Sequence, residues 1–221
     1  LYVPKEAATQ NNKEMHHTNF LLLDLGGVIL NIDYHRTSEA FRVLTGHHFD
    51  EIYSQARQTE LFDKFEKGQI TSETFAEAVR DFFSGSWRDE EIFEAWNAML
   101  LDLPETRLDF VEKIATKMPV FLLSNTNEVH KKAFDEILKK QGLHERFYAL
   151  FSKAYFSHEI GMRKPDKEVF DFILNENNIP RTKLLFVDDS LQHIHGANSA
   201  GINTLFLEKG KVIESELTFL L

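Results

Sequence analysis

Three apolar runs in this chain end in residues whose types can do chemistry, and a lysine before a proline joins them. Asp24 closes Phe20-Leu-Leu-Leu and is followed by Leu25-Gly26-Gly27-Val28. Leu21 to Leu23 reads as a strand buried on both faces. A carboxylate at its exit lies where open α/β sheets place their ligands. Two glycines let the backbone turn sharply and approach a ligand closely. Ser124-Asn125-Thr126 follows the apolar run from Pro119 to Leu123. Its hydroxyl and adjacent backbone N–H can hold a phosphate oxygen, or cap the following helix. Asp188-Asp189-Ser190 follows Leu184 to Val187. Asp24, Asp188 and Asp189 brought together would repel one another unless a cation bound between them, and hard oxygen ligands suit Mg²⁺. The competing reading makes Asp188-Asp189-Ser190 a helix cap. Lys164 precedes Pro165, which restricts it to extended backbone and lets it reach a phosphate or carboxylate as a point charge; the alternative is a solvated surface lysine.

The elements that must position these residues follow from periodicity. Tyr34 to about Met99 reads as helical throughout, with stripes at Ala40, Phe41, Val43 and Leu44, at Leu61, Phe62 and Phe65, and at Phe75, Ala78, Val79 and Phe82. Thr71 or Ser72 is the expected N-cap after a turn at Lys67-Gly68. Ile92, Phe93, Trp96 and Met99 carry a further helix. Alternation then begins: helix at Leu108–Lys117, strand at Pro119–Leu123, helix at Val129–Lys140, a short strand at Lys153–Phe156, helix at Lys167–Asn175, strand at Leu184–Val187, helix at His193–Ala200 and a last strand at Asn203–Phe206. This order predicts a parallel sheet with helices on both faces and an all-helical insert after its first strand.

Composition narrows the function. The formal net charge of −10 is a poor match to nucleic-acid binding but leaves phosphate substrates open, because local lysines, amides and a metal can reverse the field in one cleft. The absence of cysteine excludes disulfides, thiolate catalysis and Cys-type zinc sites, and fits a cytoplasmic location. No apolar stretch approaches the roughly 20 residues of a membrane helix. Residues 1–14 read as a disordered tail or extension, with Met15 a candidate native start. His193 and His195 read as helix residues near the acid pair, and His47-His48 and His130 have no partners at metal-binding spacing.

Taken together and in order, Asp24-Leu-Gly-Gly-Val, Leu122-Leu-Ser124-Asn125-Thr126-Asn127, Gly161-Met-Arg-Lys164-Pro165-Asp166 and Phe186-Val-Asp188-Asp189-Ser190 resemble the four motifs of haloacid dehalogenase (HAD) superfamily phosphatases. The resemblance extends from Phe20 to Leu207, and its detail is similar to bacterial α-D-glucose-1-phosphate phosphatases. It implies a Rossmann-like α/β HAD core at 15–33 and 101–221, with a four-helix-type cap of the type-1 class inserted at 34–100. It further implies an aspartyl-phosphate on Asp24. Mg²⁺ would be held by Asp24, the Gly26 carbonyl, Asp188 and Asp189, and the phosphoryl group by Ser124, Asn125 and Lys164. The ligand expected is a small phosphorylated metabolite, with no nucleic-acid or membrane partner; oligomeric state is not readable.

Gly26 departs from the family pattern, which has a second Asp there to protonate the leaving alcohol and then activate water. Losing such a group typically costs about 10²–10⁴ in rate. Three readings follow. The substrate's leaving group needs little protonation, as in a sugar 1-phosphate; another residue substitutes, Asp33 at the core–insert junction being the leading stand-in, against its reading as a helix N-cap or partner of Arg36; or the site only binds phosphorylated ligands. The first is the expectation. The glycine turn of Phe62–Ile70 supplies candidate specificity residues Phe62, Phe65, Glu66 and Lys67, with core packing the default for the two Phe. Alternative activities are hydrolysis of another phosphorylated metabolite such as FMN, and carbon–halogen cleavage, which also uses an Asp nucleophile on this fold but needs no Mg²⁺.

Overall fold

The computed structural model of the protein describes residues 17–46 and 60–221. The expected tail at residues 1–14, Met15 and the His47-His48 pair lie outside them. Five strands form one parallel sheet in the order β3-β2-β1-β4-β5: β1 Phe20–Leu23, β2 Val120–Ser124, β3 Lys153–Phe156, β4 Leu184–Asp188 and β5 Asn203–Phe206. Strand order reverses at β1, so the crevice of the sheet opens beyond the carboxyl ends of β1 and β4. Asp24 leaves β1 there, its N–H bonding Val187 O of β4 at 3.0 Å.

Side chains alternate across the pleat and build two cores. Leu21, Leu23, Val120, Leu122, Leu185 and Val187 face one way, against α5 (Glu105–Ala115), α6 (Glu128–Gln141) and α7 (His144–Ala149). Leu22, Phe121, Leu123, Leu184 and Phe186 face the other, against α9 (Lys167–Glu176) and α10 (Leu191–Ser199). The near-continuous apolar strands are thus explained by helices covering both faces. The expected parallel α/β core is what forms.

Between β1 and α5 the described residues hold four helices: α1 (Tyr34–Thr45), α2 (Glu60–Glu66), α3 (Ser72–Phe83) and α4 (Asp89–Asn97). They share their own core of Phe41, Phe62, Phe65, Phe75, Val79, Ile92 and Trp96. Thr71 caps α3, its hydroxyl accepting from Thr74 N at 3.2 Å. The two chain segments joining the insert to the sheet run antiparallel: Asp33 N donates to Met99 O at 2.9 Å, Leu101 N to Asn31 O at 3.0 Å, and Asn31 N to Asp102 O at 3.0 Å.

Some boundaries differ from the sequence reading. α5 starts at Glu105, three residues before the apolar stripe at Leu108, because Pro104 supplies its N-cap position. α7, a four-residue helix α8 (Ser157–Ile160) and a four-residue helix α11 (Ile213–Glu216) are too short to show a helical period. The C-terminal tail is packed, with Leu217 and Leu220 buried against α5's side of the sheet.

Candidate active site

The floor of the crevice is a buried ammonium between two carboxylates. Lys164 is fully buried, and its Nζ donates to Asp24 Oδ1 at 2.5 Å and to Asp188 Oδ2 at 2.7 Å. Asn125 clips the lysine backbone from both sides: its Oδ1 accepts from Lys164 N at 2.9 Å and its Nδ2 donates to Lys164 O at 2.8 Å. Neither Ser124 nor Asn125 caps the next helix, since Asn127 does so, accepting from His130 N at 3.0 Å. Ser124, the last residue of β2, is left facing the cleft.

Electrostatics differ among the three acids. Burial raises the Asp24 pKa to about 6, with Lys164 opposing and Asp188 adding to the rise. Burial also raises Asp189 to about 7, reinforced by Asp24 and Asp188. Burial acts to raise Asp188 as well, but Lys164 and His193 outweigh it and hold this carboxyl below its usual range. Burial disfavours the Lys164 charge, yet Asp188 and Asp24 more than compensate, so its pKa lies above 10.5. Asp24, Asp188 and Asp189 each offer an oxygen within 4.8 Å of the others. Asp188 also realises part of the capping alternative, accepting from Ser190 N at 2.7 Å.

Two glycines shape the floor. Gly27 has φ +77°, and a Cβ there would lie 2.1 Å from Asp189 Oδ2. Gly26 faces the first connecting segment: a Cβ there would lie 3.2 Å from Ile32 Cδ1. An apolar side chain therefore fills the space beside the position where the family's second acid would begin.

The insert forms the opposite wall. Phe62, Glu66, Trp96 and Met99 line the cleft together with Tyr34, His130 and Phe134. Phe62, Trp96 and His130 stack, with ring centroids 5.3 Å and 4.9 Å apart. Phe65 packs inside the insert instead, stacked on Phe75 at 4.5 Å. Lys67 turns away to Asp166, with Nζ 2.9 Å from Oδ2. That contact takes up the Asp166 carboxylate, which makes no side-chain cap to α9. Arg163, buried beside Lys164, crosses to α2, pairing with Asp63 and, through Nε, with Glu66 Oε2 at 3.0 Å. Asp33 caps α1 by accepting from His35 N at 3.0 Å and lies 3.7 Å from Arg36. It is not among the residues lining the cleft. Its contacts are those of the capping alternative.

Sequence reasoning missed Arg163 and the part played by His193, whose Nδ1 lies 3.0 Å from both Asp188 oxygens. Arg163 was adjacent to Lys164 in a basic pair, but its partners sit 97 and 100 residues away on the insert.

The family model for haloacid dehalogenase-like hydrolases matches residues 31–207. A D-ribitol-5-phosphate phosphatase of Bacteroides thetaiotaomicron is 30% identical over 202 residues, covering 91% of this chain and 97% of the relative. The phosphatase MT3486 of Mycobacterium tuberculosis is 25% identical over 194 residues, covering 86% and 87%. A crystal structure of a HAD family enzyme from Bacteroides thetaiotaomicron, an aspartate-to-alanine variant in complex with magnesium and inorganic phosphate, superposes with a TM-score of 0.80. It is 31% identical and covers 88% of this chain and 96% of its own. Both of these relatives are named as phosphatases, and the substrate named for the first is a polyol phosphate rather than glucose 1-phosphate. The chain belongs to the haloacid dehalogenase-like hydrolases.

Proposed function

We propose that this protein is a Mg²⁺-dependent phosphomonoester hydrolase that passes the phosphoryl group of a small metabolite to Asp24 and then to water. The observation that carries this reading is the Lys164 ammonium bridging Asp24 and Asp188, with Asp189 in the same cluster at the sheet's crevice. Hard oxygens from three carboxylates around a single ammonium suit Mg²⁺, and the rise of the Asp189 pKa marks negative charge awaiting a cation. Asp24, the Gly26 carbonyl, Asp188 and Asp189 would hold the ion, which neutralises phosphoryl charge when bound. Lys164, Ser124 and the Asn125 N–H bind the transferring phosphoryl oxygens, and Asn125 fixes where Lys164 stands. The helical insert at 34–100 serves as the cap, with Phe62 and Glu66 nearest the leaving group and Phe65 and Lys67 supporting the turn that presents them.

The substrate class follows from Gly26. Gly26 carries no acid and Ile32 packs beside the place where one would start, so the reading favours a leaving group that departs with little protonation, and an anomeric oxygen meets this better than a primary alcohol. The D-ribitol-5-phosphate phosphatase relative supports a second reading, a polyol or sugar with a terminal phosphate.

The test is phosphate release from α-D-glucose 1-phosphate and from D-ribitol 5-phosphate, with and without Mg²⁺, with Asp24→Asn as control. Metal-dependent release from the 1-phosphate, abolished by the substitution, is expected. Equal turnover of the terminal phosphate removes the leaving-group argument. Release from neither, with FMN also inert, would leave a phospholigand-binding protein, and haloacid turnover in chelator would favour carbon–halogen cleavage.

A further inference from the structure

A weakly basic leaving group spares the enzyme an acid in the first half of the reaction only. In the second half water attacks the phosphoryl group on Asp24, and water is a poor nucleophile until a base takes its proton. Attack and departure are in line at phosphorus, so the departing oxygen and the incoming water both lie on the side opposite Asp24. In this molecule that side is the wall formed by the insert.

The cleft's lining residues hold few groups able to act there. Its carboxyls are Asp24, Asp189 and Glu66, of which the first two belong to the floor. His130 has both ring nitrogens engaged, Nε2 with Trp96 O at 3.1 Å and Nδ1 with Asn127 Nδ2 at 3.3 Å. His193 is held on Asp188. Lys131 donates to Asp135 at 2.6 Å, and a phenol such as Tyr34 ordinarily ionises near 10. Glu66 remains. It ends α2, its side chain is 19% exposed, and Arg163 holds it from the same loop that carries Lys164.

We infer that Glu66 is the proton-transfer group of this active site, supplied by the insert in place of the acid missing at position 26. This rests on the phosphatase reading above. As water oxygen bonds to phosphorus, the P–O bond to Asp24 breaks and its electron pair returns to the Asp24 carboxylate. One water proton passes to Glu66, and inorganic phosphate leaves. Glu66 then gives that proton up to solvent before the next substrate binds, because a weakly basic departing oxygen needs none. Burial raises the Glu66 pKa above 4.5, with Arg163 and Lys164 opposing and Asp63 adding to the rise, so it is a stronger base than a solvated carboxylate.

The experiment is rapid-quench turnover of 4-nitrophenyl phosphate with Mg²⁺ by the wild type, Glu66→Gln and Glu66→Asp, with intact-mass detection of phosphoryl-Asp24. In Glu66→Gln we expect a burst of one nitrophenolate per site, a steady state slower by about 10²–10⁴, and accumulation of the phosphoenzyme. Glu66→Asp should regain part of the rate, and thermal melts should show both variants folded. Wild-type steady-state rate in Glu66→Gln overturns the proposal. So does a raised KM without phosphoenzyme, which would make Glu66 a leaving-group contact. If Glu66→Gln fails to fold, a burst and phosphoenzyme in Glu66→Asp carry the proposal, and their absence overturns it. Wild-type enzyme that releases no nitrophenolate in an Asp24-dependent way sinks the phosphatase reading itself, a result no Glu66 variant could produce alone.

Discussion

Gly27 shows how much a single position of the active-site floor carries. Its positive φ lies where a residue with a Cβ is strained, and the Cβ itself would meet Asp189. Gly27→Ala should therefore lose about 1–2 kcal/mol from backbone strain alone. Displacing Asp189 should in addition weaken Mg²⁺ binding about 10–100-fold, the range seen when a ligand's support is removed. Denaturant melts read the first effect and calorimetric Mg²⁺ titration the second. Unchanged Mg²⁺ affinity would show that Asp189 is not a ligand. Gly26, one residue earlier, carries a different constraint, since its neighbour is the flexible end of Ile32 and not Asp189. The glycine pair was readable in the sequence as a sharp turn. Which of the two touches an acid and which an isoleucine was not, because the acid comes from a distant segment and the isoleucine from the way the chain folds back after the turn.

Among the elements, the insert depends on a chain of rings. Phe75 is fully buried between Phe65 at 4.5 Å and Trp96 at 5.0 Å, and Trp96 in turn stacks on Phe62 at 5.3 Å. Removing Phe75 leaves a cavity that neighbouring rings fill poorly. Phe75→Ala should cost about 3–5 kcal/mol, the usual range for such a truncation. Because Phe62 and Glu66 are carried by the helix that packs on this ring, turnover should fall alongside the stability of the insert. Tryptophan fluorescence during chemical unfolding checks this, since both tryptophans lie in the insert. A loss under about 1 kcal/mol would mean that the cavity collapses. The stripes that build α2, α3 and α4 were legible from spacing. The stacking order of the rings was not, because spacing defines a face without naming its partner.

For the whole molecule, the joint between insert and core matters most. Val129 packs into the insert's core, Ser72 Oγ donates to Glu128 Oε2 at 2.9 Å, and His130 stacks on Trp96 while bonding its carbonyl. Burial drives the His130 pKa down from 6.5 to about 4, the bond to Trp96 O opposing. The unfolded chain thus binds a proton below pH 6.5 that the folded chain refuses until about 4. Stability is fully present above 6.5 and falls as the medium is acidified toward 4, by roughly 3 kcal/mol from this group. His130→Gln, which lacks the titration, should flatten that part of the stability–pH curve in denaturant melts. An identical slope in both proteins would place the acid sensitivity elsewhere.

The sequence by itself determined the alternation of strands and helices, the place of the helical insert, and the three polar strand ends and the lysine motif that mark the family. Those features are local: an apolar run, a helical period or a glycine pair is set by neighbouring residues. Tertiary structure decided that Asn125 holds the Lys164 backbone, that Arg163 reaches Glu66, that Ile32 lies against Gly26, and that Asp33 caps α1. The first two are contacts between residues far apart in the chain, the third depends on how the segment after β1 folds back, and whether an acid caps, pairs or reacts depends on which groups the fold brings to its oxygens.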